Sequence, residues 1–502
     1  MAKGLRSKIY RSRLYNISLG NQVASPEGAP PALWPMPITD NLQNHSFEWL
    51  CSLSASDQAL ESSAARARIQ SWLAENNQWQ AESWRADHLG DRLTFGLTYF
   101  NTLCDNAPSD FAPEFAVALS RQARHLFRLP TCDRTEVDSF RYWRGVIIAA
   151  LHLPAFQRRL LGAIEGLLKE ISMQIFPDGG HLARNPQKQL EALAVLIHIR
   201  AALAHAQAEV PEILQNTIDR MAPMLRAYRP GDGGLGLFNG SRHGDTAVID
   251  LVLALSQSRA KPASSAPHTG FHRISAQRTT VLFDTGPPAD TAPLVQGHAG
   301  ALSFEMCVGT HRMIVNCGSV SVQGGADLTE ALRATAAHST LTVADIHSSD
   351  LVPNAGFGER RIRNVTARRR EQDRNVLVEA QHDGYAEPFG LIHRRSLYLD
   401  RDGLDLRGED ILEAAKSTGQ VFCIRFHLHP SVQASLVGGG RSVLLRLPTG
   451  RGWRLSVSDG VLDLTESIYA GEGVPRQTTQ IVITGRHSRR QTLTKWRLAR
   501  EG

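Results

Sequence analysis

Apolar residues recur at helical spacing through the first half of the chain. Two series have their members three or four positions apart, which places the side chains of each series on one face of a helix. The members are Leu160, Ile164, Leu167, Ile171 and Ile175 in one series, and Leu214, Ile218, Met221 and Leu225 in the other. Prolines and glycine-rich turns at residues 179–180 and 231–234 separate such segments. The pattern predicts a stack of helical hairpins.

Beyond residue 265 the pattern changes to short runs rich in Val, Ile, Leu and Thr, which is typical of β-strands. The predicted strands include residues 279–284, 302–307, 313–316, 339–343, 376–380, 443–447 and 480–484. Asp402-Gly403 lies between two apolar runs and predicts a hairpin turn. Helices followed by antiparallel strands predict an α+β protein of two domains, an α-helical domain at 1–265 and a β-sandwich at 266–502.

Composition and charge narrow the class of protein. A chain of 502 residues is longer than a domain with one hydrophobic core usually is. The net charge of +6 is a mild excess of basic over acidic residues, which favours anionic partners without predicting nucleic acid. The six cysteines are scattered without a CxxC pair, which argues against a disulfide framework or a thiolate metal site. No apolar run is long enough for a transmembrane segment, and the first residues lack an evident secretion signal. The oligomeric state is not predicted.

The segment Pro177-Asp178-Gly179-Gly180-His181 gathers ionisable groups at a turn and continues to Arg184, Asn185 and Pro186. Two glycines allow positive φ or close approach to a ligand, so Asp178, His181 and Arg184 could present an acid, a base and a cation to one substrate. The alternative is structural. Asp178 and Asn185 would then cap helices around a tight turn.

Four strings in one order resemble the heparinase II/III-like family. They are residues 177–186, the run 298–305 (HAGALSFE), the run 333–340 (RATAAHST) and the run 382–385 (HDGY), with the change from helices to strands between the first and second. The resemblance covers the chain from about residue 110 onward. It implies an incomplete (α/α) toroid followed by an antiparallel β-sandwich, a cleft between them for an acidic polysaccharide, and cleavage of uronic-acid-containing chains by β-elimination.

The resemblance also implies roles for side chains of the first string. Such a lyase must neutralise the uronate carboxylate, remove the adjacent proton and protonate the departing oxygen. The position matching the family's Tyr is Lys188, and the chain has no Asn-His pair where an inner helix would carry one. The family's usual catalytic constellation is therefore absent. One hypothesis that retains catalysis makes His181 the base, Arg184 the carboxylate clamp and Lys188 the acid, and the alternative is that Lys188 is a solvated side chain.

A zinc site in the β-domain is a further implication of the resemblance. The matching positions are His298, Asn316 and His338, where Asn replaces a charged oxygen ligand. The alternative is that the two histidines are hydrogen-bonded inside the sandwich. No cofactor is required for the elimination itself, so at most one zinc ion is expected.

Substrate-binding candidates lie outside the catalytic set. Asp232 and Asn239 flank a glycine-rich loop that lacks the signature of a phosphate cradle, and we expect them with Asp178 to contact sugar hydroxyls. Trp143 and Arg144 combine an aromatic plane with a guanidinium group, which suits an anionic sugar.

The predicted function is β-elimination of an anionic polysaccharide. The alternative is a non-catalytic glycan-binding or cell-envelope protein on the same scaffold. A third hypothesis is hydrolysis by a carboxylate pair, Asp178 with Asp232. The resemblance implies a location in the cell envelope or periplasm, while the start of the chain leaves a cytoplasmic location open.

Overall fold

A computed structural model describes residues 43–52, 58–76, 78–129, 139–288, 297–320, 325–350, 362 and 364–501. These residues form two compact units. The first unit holds the described residues up to Gln174 together with Ala192–Ile218, and the second unit holds Ile175–Glu191 together with the described residues from Asp219 onward. The second unit therefore contains helical segments as well as the sheets, and the predicted domain boundary at residue 265 stays a prediction.

The helices of the described residues lie mainly before residue 256. They are α1 (Gln43–Ser46), α2 (Gln58–Asn76), α3 (Ala86–Thr98), α4 (Phe100–Cys104), α5 (Phe111–Leu126), α6 (Ser139–His152), α7 (Leu160–Gln174), α8 (Pro186–His205), α9 (Glu212–Ala227), α10 (Thr246–Leu255), α11 (Ala326–Arg333) and α12 (Ala386–Phe389). Short 3₁₀ turns cover Glu48–Ser52, Pro154–Arg159 and Thr335–Ala337. None of the helices described is long and apolar enough to cross a membrane.

Small residues allow close packing in the first unit. A Cβ added to Gly145 of α6 would lie 2.3 Å from the Cα of Gly90 in α3, so these helices meet backbone to backbone. Leu93 and Ile147 are fully buried. Burial of such a side chain contributes about 1.5–3 kcal/mol.

The strands form two antiparallel sheets in the second unit. They are β1 (Ser265–Ala266), β2 (Phe271–Ala276), β3 (Thr279–Asp284), β4 (Phe304–Val308), β5 (His311–Val315), β6 (Leu341–Val343), β7 (Val365–Gln372), β8 (Asn375–Tyr385), β9 (Leu391–Leu399), β10 (Asp405–Glu413), β11 (Val421–Leu428), β12 (Gln433–Val437), β13 (Ser442–Arg446), β14 (Gly452–Val457), β15 (Val461–Tyr469), β16 (Arg476–Arg486) and β17 (Gln491–Arg500). One sheet has the order β1-β2-β3-β4-β5-β11-β16-β15, with β6 beside β11, and the other has the order β12-β13-β14-β17-β10-β9-β8-β7.

Aromatic side chains from both sheets fill the core of this sandwich. Phe304 of β4 stacks on Trp496 of β17 with ring centroids 5.6 Å apart, and Phe426 meets the same indole edge-on at 4.9 Å. One buried ionic network also joins the sheets. Arg395 pairs with Asp410 at 2.8 Å and donates to the carbonyl oxygens of Leu302 and Ser339 at 2.9 and 2.8 Å.

The change from helices to antiparallel strands is confirmed. Strand β3 has the predicted bounds, and Gly403, with φ of 67°, turns the chain between β9 and β10 as predicted. The periodicity did not predict α11, because a helix of eight residues gives little more than two turns of pattern.

Candidate functional site

The candidate turn comprises residues 176–184, and it needs both of its glycines. Gly179 has φ of 87°, and a Cβ there would lie 2.2 Å from the carbonyl oxygen of Arg220. Gly180 packs against Thr269, and a Cβ there would lie 1.9 Å from the Thr269 hydroxyl oxygen. The positive φ predicted for this turn is thus observed at Gly179, and both glycines allow close approach of the protein's own backbone and side chains.

Asp178 binds the segment that precedes β2. Its carboxylate accepts hydrogen bonds from the backbone N–H groups of His268 and Thr269, both at 2.8 Å, and from the Thr269 hydroxyl at 2.5 Å. The Gly180 N–H donates to the same carboxylate at 3.3 Å. These four donors occupy both carboxylate oxygens, so the contribution of Asp178 to sugar binding stays a prediction.

Arg184 is held inside the second unit by oxygen atoms of the protein. Its side chain is 4% exposed and forms an ion pair with Asp284, which is equally buried. The guanidinium also donates to the carbonyl oxygens of Thr269 at 2.7 Å, Gly270 at 3.3 Å and Pro287. A guanidinium with this many partners has little capacity left to neutralise a substrate carboxylate.

His181 is buried, and its backbone N–H donates to Oε1 of Gln189 at 2.7 Å. Its Nδ1 accepts a hydrogen bond from the Ala183 N–H at 3.1 Å. Burial, reinforced by the positive charge of Lys188, lowers the pKa of His181 to about 3. The imidazole is therefore neutral near pH 7 and a weak proton acceptor.

Lys188 lies in the first turn of α8, as the sequence predicts. Asn185 caps this helix, since its side-chain oxygen accepts from the Gln187 and Lys188 N–H groups at 2.8 and 3.1 Å. The Lys188 ammonium pairs with Glu191 at 2.6 Å and is 38% exposed. Of the three predicted catalytic groups, His181, Arg184 and Lys188, it is therefore the most accessible to solvent.

Asn239 joins the turn to the histidines of the β-domain. Its amide donates to the Arg184 carbonyl oxygen at 2.9 Å, and its side-chain oxygen accepts from the His298 N–H at 3.4 Å. Asn185 donates in turn to the Asn239 carbonyl oxygen at 2.7 Å. The structure thus brings Arg184, Asn239 and His298, three predicted site residues, into one hydrogen-bonded set.

The predicted zinc ligands do not form a donor set that fits zinc. Nδ1 of His298 and Nε2 of His338 are hydrogen-bonded to each other at 3.1 Å, and Nδ1 of His338 contacts the Ala334 carbonyl oxygen at 2.8 Å. The Asn316 side-chain oxygen accepts from the Ser339 N–H at 3.0 Å. Within the residues described, no three His, Cys, Asp or Glu side chains are grouped to hold a metal ion. Burial lowers the pKa of His338 to about 4, so this pair is neutral near pH 7.

Asp232 belongs to a second polar cluster. It pairs with Arg312 at 2.6 Å and with Nε2 of His243 at 3.0 Å. Burial alone would raise the pKa of Asp232, but these hydrogen bonds and charges lower it, and the same contact raises the pKa of His243. Glu305 lies beside Arg312, and burial raises its pKa to about 7.

Trp143 and Arg144 lie in the first unit. The indole covers Gly166, where an added Cβ would lie 2.0 Å from the ring. Arg144 is buried and pairs with Asp91 at 2.5 Å. A role for these two residues in sugar binding stays a prediction.

Sequence reasoning missed Gln189, Asp284, Glu305 and Arg312, which hold the predicted residues in place. The sequence could have indicated Glu305 and Arg312, because each is a charged residue inside a largely apolar strand and needs a partner of opposite charge when it is buried. No sequence pattern indicated Asp284 at the end of β3 or Gln189 in α8.

Comparison with known proteins identifies relatives of the sequence. Residues 258–497 match the family domain described as heparinase II/III-like, C-terminal. FtsZ-localized protein C of Caulobacter vibrioides is 30% identical over 456 residues, which cover 88% of this chain and 78% of that protein.

Solved structures show the same fold. Heparan sulfate lyase HepC from Pedobacter heparinus superimposes with a TM-score of 0.66 at 16% identity, over 93% of this chain and 78% of its own. A heparinase III structure gives a TM-score of 0.72 at 14% identity, over 91% and 77% of the two chains. These similarities confirm the predicted fold class, a helical toroid followed by an antiparallel β-sandwich.

Proposed function

The chain belongs to the heparinase II/III-like family. We propose that it keeps the polysaccharide-lyase scaffold but acts as a non-catalytic protein whose binding partner is FtsZ. One observation carries this proposal. His181, the predicted base, and Arg184, the predicted clamp, are buried, and Arg184 and Asp178 are bonded to the protein's own groups. Lys188, the predicted acid, is paired with Glu191.

Arg184 gives the strongest support. A carboxylate clamp must exchange water for substrate, whereas Arg184 would have to leave Asp284 and at least one carbonyl oxygen in a buried environment. Leaving a buried carboxylate unpaired costs several kcal/mol, which opposes the release of Arg184 towards a substrate.

His181 supports the same conclusion. A general base works best when its pKa lies near the working pH, and burial keeps the pKa of His181 at about 3. Its Nδ1 is also an acceptor for Ala183. The residue thus stabilises the turn and does not remove protons.

The similarity to FtsZ-localized protein C supports a role with FtsZ. At 30% identity over 88% of the chain, the two proteins share most of their length. We infer that this protein is cell-associated and localises with FtsZ, on a lyase fold.

Cosedimentation tests this role. Purified protein is mixed with FtsZ of its own species, and polymers formed with GTP are pelleted. The protein is expected in the pellet with GTP and in the supernatant with GDP, and an unrelated protein of similar mass and charge serves as the control. Equal amounts in the supernatant under both conditions, with localisation in cells unchanged after FtsZ depletion, would refute the role.

β-Elimination of a uronic-acid-containing polysaccharide is the second candidate function. The observation that favours it is the partly exposed Lys188 ammonium, whose charge lowers the pKa of His181, on a scaffold shared with heparan sulfate lyases. Such an ammonium could protonate a departing oxygen. This function predicts that Lys188→Ala abolishes turnover at unchanged thermal stability, with Lys169→Ala as the matched control. Retained turnover in Lys188→Ala would remove Lys188 from the chemistry.

A further inference from the structure

A pocket of about 530 Å³ lies in the second unit, between the end of α9 and the helix α10. Its lining residues are Arg226, Arg229, Asp250, Leu253, Ala254, Gln257, Ser258 and Arg259. None of these residues contributes to the candidate turn or to the histidine pair. The volume falls in the range of small-molecule sites.

The charge of the lining is strongly unbalanced. The lining holds three guanidinium groups and one carboxylate, that of Asp250, whose side chain is 65% exposed and pairs with Arg229. Arg273 donates to the carbonyl oxygens of Ala227 and Arg229, so the negative end of α9 already has a cationic partner. The pocket therefore keeps a net positive charge of about two, counted from its lining residues.

The arginines are fixed in place, yet some of their donors remain unused. Arg226 donates through Nη2 to the Ser258 carbonyl oxygen at 2.6 Å, while its Nη1 is buried and has no hydrogen-bond partner among the residues described. Arg229 donates to the Gly233 carbonyl oxygen at 2.9 Å and to Asp250 at 2.7 Å. Two guanidinium planes are thus oriented before any ligand arrives, which lowers the entropy cost of binding.

We propose that this pocket binds the phosphate monoester of a small soluble molecule. A phosphate monoester carries a charge of about −1.5 to −2 at neutral pH, which matches the excess of the lining, whereas a single carboxylate leaves part of it unbalanced. Guanidinium forks suit its oxygens geometrically. Inorganic phosphate alone would leave most of the volume unfilled. The apolar side chain of Leu253 and the polar groups of Gln257 and Ser258 would contact the organic part.

Titration calorimetry on the full-length protein tests the proposal with glucose 6-phosphate as the probe. Inorganic phosphate, glucuronate and glucose are the comparison ligands. We expect glucose 6-phosphate to bind at least about tenfold more tightly than glucuronate or inorganic phosphate, and we expect no binding of glucose. Each tenfold difference corresponds to about 1.4 kcal/mol.

Variants locate the site. Arg226→Gln should weaken binding about tenfold, and Arg259→Gln, which changes an exposed side chain, about threefold. Arg441→Gln, at an exposed turn between β12 and β13, is the matched control and should bind like the unchanged protein. Circular dichroism and thermal unfolding verify the fold of each variant, and Arg259→Gln keeps the test valid if Arg226→Gln does not fold.

Three results would overturn the proposal. They are no binding of glucose 6-phosphate, binding that both Arg226→Gln and Arg259→Gln leave unchanged, and glucuronate or inorganic phosphate binding as tightly as glucose 6-phosphate. Because no FtsZ or polysaccharide is present, these outcomes are independent of the proposed function.

Discussion

Arginines in two regions of the second unit differ in how far the protein's own groups neutralise them. In the turn, Arg184 is buried and bonded to Asp284 and to carbonyl oxygens of its own chain. The lining of the pocket beside α10 holds Arg226, Arg229 and Arg259 but one carboxylate, that of Asp250, which is mostly exposed and pairs with Arg229. The turn carries the recognisable sequence motif, but the pocket has the unbalanced charge. A motif rich in ionisable residues can therefore be structural, while a ligand site can lie where the sequence has no motif.

The difference extends to protonation. Burial keeps the histidines near the turn neutral, with a pKa of about 3 for His181 and about 4 for His338. The lining of the pocket holds three arginines and one carboxylate, so its net charge is positive. We therefore expect changes in the turn to affect stability and changes in the pocket to affect ligand binding.

The largest expected effect comes from Arg184. Arg184→Gln leaves Asp284 unpaired in a buried site and should lower the free energy of unfolding by about 3–5 kcal/mol. Urea denaturation measures this loss, with Arg441→Gln as the exposed control. Arg184→Lys retains the charge and should lose less, so it provides a measurement if Arg184→Gln does not fold. Unfolding free energies equal to that of the control would show that the buried ion pair is not structural.

Gly180→Ala should cost about 1–3 kcal/mol, because its Cβ would overlap the Thr269 side chain, which in turn binds Asp178. Gly162→Ala in α7 is the matched control, since a Cβ there meets no atom within 4 Å. Thermal unfolding compares the two variants. A stable Gly180→Ala protein would mean that the turn relaxes easily and could open for a ligand.

Acid should destabilise the second unit. Burial lowers the pKa of His338 in the folded state to about 4, from 6.5. Between these pH values the unfolded chain binds a proton at this histidine and the folded protein does not. Stability is full above about pH 6.5 and falls as the pH is lowered towards 4, by roughly 1–2 kcal/mol per buried histidine at about pH 5. Urea denaturation at several pH values measures the slope, and His338→Gln should reduce it. An unchanged slope in that variant would contradict a neutral buried pair.

The smallest effect is expected at Arg259. Arg259→Gln should change the free energy of unfolding by less than about 0.5 kcal/mol, because the side chain is exposed. The same urea experiment measures it. A loss above about 1 kcal/mol would indicate that the pocket arginine is structural, as Arg184 is, and would remove the contrast between the two regions.

Local patterns predicted the fold well. Strand β3 and the hairpin at Gly403 follow from alternation and turn chemistry within a few residues. The fully buried stripe that runs from Leu214 to Leu225 follows from helical periodicity.

The roles at the candidate site could not be read in the same way, because they depend on partners far away in sequence. Arg184 meets Asp284 a hundred positions later, and Asp178 meets Thr269 across 91 positions. A single sequence shows that Arg184 is charged, but it does not show whether a substrate or Asp284 will neutralise it. The pocket arginines were missed for the same reason, since they come together only through the packing of α9 and α10.

A lyase assay of the purified protein tests most directly whether the turn is catalytic. Heparan-type, chondroitin-type, alginate and bacterial uronate polymers are each incubated with it, and the near-ultraviolet absorbance of new C4–C5 double bonds is followed, with a heparan sulfate lyase as positive control. A non-catalytic protein gives no rise on any polymer while the control reacts. A rise that His181→Ala or Lys188→Ala abolishes, at unchanged thermal stability, would contradict the non-catalytic proposal and establish a catalytic turn.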